Sequence, residues 1–193
     1  MDLANDQTRG PGGWLERYRF SRQERIADST EPNAILRTAA YRCGRIMTQD
    51  GRLVHVQGRW WPYQGNWLRV LVDQHWGTGR GDWCQLYYHQ PLGGRQFLSL
   101  SYVHTGEDAS LSTLYVAMLA LDQIASLRGS LALVCHVTNG RISDRLMQRW
   151  GWQSHCLHWR GRHFIKRFYG HYPTISPHWR SRLQIDNEAP ASS

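Results

Sequence analysis

The amino-acid sequence predicts an α+β fold built on a mixed sheet, and three observations predict it. Between Tyr41 and Tyr102, short apolar and aromatic runs alternate with turn residues, the pattern of strands joined by tight connections. From Leu111 the period changes: Leu111, Leu114, Tyr115, Met118, Leu121, Ile124 and Ala125 recur at three- and four-residue steps and make one apolar stripe on a helix. The run LALVCHV at 131–137, continuous and apolar between Gly129 and Asn139-Gly140, then reads as a strand covered on both faces.

Each element follows from its own residues. Gly10, Pro11, Gly12 and Gly13 lie among polar neighbours, so residues 1–34 are expected to form a partly disordered arm. Within it Trp14, Leu15, Tyr18 and Ile26 fit a short basic helix loosely, and equally an arm that docks on a partner. Asp50-Gly51 joins CGRIMT to RLVHVQ as a two-residue hairpin turn, because both positions tolerate the positive φ such turns need. Further strands are expected at 67–72, 83–89 and 96–103, where QFLSLSYV sets Leu98, Leu100 and Tyr102 against serines. The helix of 114–127 ends at Gly129. A second helix over 142–150 stops at Gly151, and SHCLHW and RHFIKRFY flank Arg160-Gly161 as a closing hairpin. Residues 186–193 contain no apolar anchor beyond alanine and are expected to be a disordered tail, leaving 35–185 as the folded domain.

Composition narrows the function classes. The chain has 193 residues, 41% hydrophobic and 20% charged, which suits one globular domain and excludes wholesale disorder. The longest apolar stretch, near Leu114 to Ile124, is broken by Asp122 and is shorter than the roughly 20 residues a membrane span requires. The N-terminus lacks the basic start and apolar middle of a secretory signal, so the expected setting is cytoplasmic, without membrane contact. Four cysteines at 43, 84, 135 and 156 form no CxxC pair and are expected to be reduced. The net charge is +8 and every cation except Lys166 is arginine, so phosphorylated cofactors, nucleic acid and acidic surfaces are all attracted. Ten tryptophans serve either a core or the stacking of bases.

The order strand, helix, strand, helix, strand, strand, with LMQRWGW at 146–152 between the 131–137 strand and the terminal hairpin, resembles the GNAT superfamily of acyl-CoA-dependent N-acyltransferases. The resemblance covers Phe97 to Tyr169. It implies a mostly antiparallel mixed sheet flanked by helices, acetyl-CoA or another acyl-CoA as cofactor, and a small-molecule or peptide amine as acceptor. By the same resemblance, the strand ending at Tyr102 and Val103 splays from the next strand, and its backbone groups pair with the pantetheine amides. Asn139 matches the family's Asn after that next strand, although Asn-Gly is also a plain turn.

Two features depart from the family pattern. Its glycine-rich phosphate loop is replaced by HTGEDASLST at 104–113, with one glycine and the carboxylates Glu107 and Asp108. Two readings of this loop stay open. Asp108 or Ser110 caps a helix and nothing more, or Ser110, Ser112 and Thr113 present hydroxyls and N–H groups to a phosphate. The family's general-acid tyrosine falls on Met147, which cannot donate a proton. His104 at the strand end is the candidate base if its imidazole points into the gap.

Two other constellations stand outside the resemblance. In a two-residue closing hairpin His158 would oppose His163 with Cys156 on their face, but no fourth ligand is evident and no metal is expected. Arg160, Arg162, Lys166, Arg167, Arg180 and Arg182, interleaved with Trp159, Phe168, Tyr169, Tyr172 and Trp179, form the alternative: a non-enzymatic basic module for nucleic acid or an acidic partner.

Overall fold

A computed structural model describes residues 22–25, 41–59, 80–137 and 142–184 of the chain. Among the described residues eight strands and three helices follow one another: β1 (Arg22–Arg25), β2 (Cys43–Gln49), β3 (Arg52–Arg59), β4 (Trp83–His89), β5 (Phe97–Thr105), α1 (Leu111–Leu127), β6 (Ala132–Val137), α2 (Asp144–Arg149), β7 (Gln153–His155), β8 (Arg162–Arg167) and α3 (Pro177–Leu183). The strands form one sheet in the order β1-β3-β2-β4-β5-β6-β8-β7. Among the described strands β5 and β6 run parallel and the other pairs antiparallel, so the sheet is mixed and the fold is α+β. Among the described residues no helix is long and apolar enough to cross a membrane.

The core lies between one face of the sheet and α1. Ile46, Val56, Leu86, Leu98, Leu100 and Leu133 are buried against Val116, Ala117, Ala120, Leu121 and Ile124 of the helix. Alternation sends every second strand residue to this face, and the stripe on α1 supplies the other half. The hairpin between β2 and β3 turns through Asp50 (φ 50°) and Gly51 (φ 68°), the doubly positive conformation anticipated for Asp-Gly. Gly129 (φ 62°) ends the chain's passage out of α1, and Gly151 (φ 84°) follows α2.

Three expectations change. Arg22–Arg25 is not helical: it pairs antiparallel with β3, which would otherwise be a sheet edge with open N–H and C=O groups. The closing hairpin is not two residues wide. Cys156 (φ 51°) leaves the extended region, so β7 stops at His155, and His155 rather than His158 opposes His163. The third helix, absent from the predicted order, begins at Ser176-Pro177, where proline's fixed φ suits the first turn. The expected strand at 67–72 and the residue Asn139 lie outside the described residues.

Candidate functional site

The site is made by a fault in strand pairing. β5 and β6 pair in register from Phe97 opposite Ala132 to Leu100 opposite Cys135, and there the ladder ends. Both strands continue, β5 to Thr105 and β6 to Val137. At the same point the β4–β5 register shifts: Tyr88 opposes Leu100 and Tyr87 opposes Tyr102, so Ser101 is an extra, bulged residue. A bulge bends its strand and raises its twist, and the β5–β6 ladder ends at this bulge. A cavity of about 490 Å³ lies at this point, lined by Ser99, Leu100 and Ser101 of β5 and Val134, Cys135 and His136 of β6.

Histidines flank this cavity. On the β4–β5 bank His89 Nδ1 lies 2.6 Å from Ser101 Oγ, so the bulged serine meets the last residue of β4. Burial pushes the His89 imidazole below its ordinary value, favouring the neutral ring. On the other bank His136 opposes His163, and their rings stack with centroids 4.4 Å apart and planes 10° apart. Trp159, 57% exposed, stands edge-on to His163 at 5.5 Å and forms part of the mouth. Cys135 also lines the cavity, but burial pushes its thiol up to about 12, so it is not a thiolate nucleophile at neutral pH. No group of three or more His, Cys, Asp or Glu among the described residues is arranged to hold a metal ion.

The start of α1 is occupied from within the chain. Ser110 is the N-cap, its Oγ accepting from Thr113 N at 3.2 Å. Asp82, just before β4, accepts from Ser110 N at 2.8 Å and from Ser110 Oγ at 2.7 Å. Burial acts to raise the Asp82 pKa, but hydrogen bonds from Thr113 and Ser110 outweigh it and hold the carboxyl below its usual value. Thr113 is buried: its Oγ1 accepts from Gly51 N at 2.7 Å, and its carbonyl accepts from Thr48 Oγ1 at 2.9 Å. Gly106 packs where a Cβ would stand 2.8 Å from Trp83 Nε1, so the loop's glycine serves close packing.

The predicted site residues therefore divide. Tyr102 and Val103 lie on β5 beyond the end of its ladder with β6, opposite Tyr87 and Leu86 of β4, and neither lines the cavity. Ser110, Ser112 and Thr113 gather at the start of α1, where Ser110 Oγ is 2.9 Å from Ser112 Oγ. His104 does not line the cavity; its ring lies against Trp83, centroids 4.9 Å apart, and near Tyr102 at 6.3 Å. Burial lowers its pKa too. His89, Ser101 and Asp82 were missed. The 83–89 run located His89, but only the register across β4 and β5 sets it beside Ser101. Part of the basic aromatic set turns inward: Phe168 is 3% exposed, and Lys166, 8% exposed, donates to Asp122 at 2.6 Å. Arg162 is engaged with Asp144. No protein-family model, curated protein or solved structure matches this chain.

Proposed function

We propose that the protein is a divergent, GNAT-like N-acyltransferase whose slot between β5 and β6 takes the pantetheine arm of an acyl-CoA. The observation that carries this reading is the end of the β5–β6 ladder at Leu100 and Cys135 while both strands continue. An extended amide chain laid along such an edge pairs with backbone groups that lack a strand partner. The strand order at this end, β5-β6-β8-β7 with α1 and α2 as connections, supports the same reading.

His89, rather than His104, is the base in this proposal. With Nδ1–H donating to Ser101 Oγ, Nε2 is left to accept a proton from the amine. The amine nitrogen attacks the thioester carbonyl, backbone N–H groups of the slot stabilise the oxyanion, and the C–S bond breaks to release the thiolate. The proton held on His89 then passes to that thiolate.

Calorimetry with acetyl-CoA, followed by thiol release in the presence of an amine panel, tests the reading. Binding should survive His89→Ala while turnover falls about 10²- to 10⁴-fold. Asp82→Asn should tighten binding, since it removes a carboxylate that competes with phosphate at the start of α1. Absence of heat at high micromolar acetyl-CoA for both the native chain and Asp82→Asn would remove the activity. The Asp82 contact favours a second reading, a non-enzymatic basic module on the same scaffold. In that case a salt-sensitive mobility shift on mixed oligonucleotides is expected without any response to acetyl-CoA.

A further inference from the structure

A second cavity, of about 430 Å³, lies on the α1 face of the sheet and shares no lining residue with the slot. Its polar element is an ion pair: Lys166 Nζ of β8 donates to Asp122 Oδ2 of α1 at 2.6 Å, and the two side chains are 10% and 6% exposed. Desolvating two charges is costly, and a lone pair of this kind is weak evidence for stability on its own. An ammonium carries three N–H groups and a carboxylate two oxygens. Among the described residues their mutual bond uses one of each, leaving two donors and an acceptor side by side in the cavity wall.

Three aromatic side chains share the wall with Leu119 and the segment 173–176. Tyr115 meets Trp150 with ring centroids 5.6 Å apart and Trp179 edge-on at 4.9 Å. Gly151 keeps the space beside Lys166 clear: its φ is +84°, and a Cβ there would stand 3.3 Å from Lys166 Cε. Arg149, in the last turn of α2, lines the cavity and is exposed. Such a wall suits a ligand with a flat apolar face, a donor next to an acceptor on one edge, and an anionic substituent on the exposed side.

We propose that this cavity binds the nucleobase of a nucleoside or nucleotide, its hydrogen-bonding edge on Asp122 and Lys166, its ring against Tyr115, Trp150 and Trp179, and any phosphate toward Arg149. The carboxylate accepts from an exocyclic amino or ring N–H group, while the ammonium donates to the neighbouring ring nitrogen or carbonyl. The volume falls within the roughly 300–1,000 Å³ of small-molecule sites. This inference stands apart from acyl transfer and survives its failure.

Saturation-transfer NMR on the full chain with adenosine, guanosine, cytidine and uridine at millimolar concentration tests it. At least one nucleoside should receive signal, and Trp179→Ala should weaken its binding by about tenfold, in line with the loss of a stacking partner. An analogue of the same nucleoside with its edge donors methylated should bind at least tenfold more weakly to the native chain, a comparison that requires no variant to fold. Silence from all four nucleosides overturns the proposal. So does a methylated analogue that binds as well as its parent, or binding that a folded Trp179→Ala variant leaves unchanged.

Discussion

Asp82 sits 28 residues before the serine it holds, yet its two oxygens take the N–H and hydroxyl that an anion at the start of α1 would use. Hydrogen bonds to a charged group contribute about 1.5–3 kcal/mol each in favourable settings. Asp82→Asn is therefore expected to lower the urea midpoint measurably even as it opens the helix start. Thr113 acts at the same place from inside the core. Thr113→Val keeps its shape but leaves Gly51 N without its acceptor at 2.7 Å, an expected loss of about 1–3 kcal/mol in chemical denaturation. An unchanged midpoint would show that the turn amide finds another partner. Ser110 was readable as one of two candidate caps, with Asp108, from their place before an apolar stripe. Asp82 was not, because nothing local in residues 80–82 says where their carboxylate goes.

At the scale of elements, the bulge at Ser101 decides more than any single side chain. One extra residue in β5 coincides with the end of pairing to β6, and the slot begins there. The alternation of QFLSLSYV was legible, and so was the strand. The slipped register was not, because two strands of suitable pattern pair equally well on paper with or without a bulge. Glycine punctuation was more dependable: Gly51 and Gly151 both adopt positive φ where turns were expected. Gly151→Ala is expected to cost about 1–2 kcal/mol from the left-handed backbone alone. Its Cβ would also press on Lys166, so a thermal midpoint equal to that of the native chain would contradict the tight contact.

For the whole molecule, the charge distribution makes stability, and the proposed acyl transfer, depend on pH in defined directions. The Asp82 pKa is lower in the folded chain than in the unfolded one, so the folded state binds fewer protons in the window between the two values. Its contribution is complete above the ordinary carboxylate value, about 3.9, and is lost as pH falls through the depressed one. Urea midpoints measured from pH 6 down to pH 3 should fall less steeply for Asp82→Asn than for the native chain. His89 is depressed as well, so under the proposed acyl transfer the acid limb of kcat/KM should lie below the ordinary imidazole value of about 6.5. An acid limb at or above that value would point to a different base.

What the amino-acid sequence determined by itself is whatever depends on near neighbours. The strands at 43–49, 52–59, 83–89 and 97–105, the helical stripe from Leu111 to Ala125, the covered strand near 131–137 and the Asp50-Gly51 turn each follow from residues a few positions apart, where backbone preference and apolar period act directly. Tertiary structure alone decided the pairing of β4 with β2 rather than with β3, the addition of Arg22–Arg25 to an edge, and the meeting of Asp82 with Ser110, His89 with Ser101 and Asp122 with Lys166. Those contacts join residues from 12 to 44 positions apart. They form only when burial of the common core brings their elements together, and no local preference encodes which partner is met.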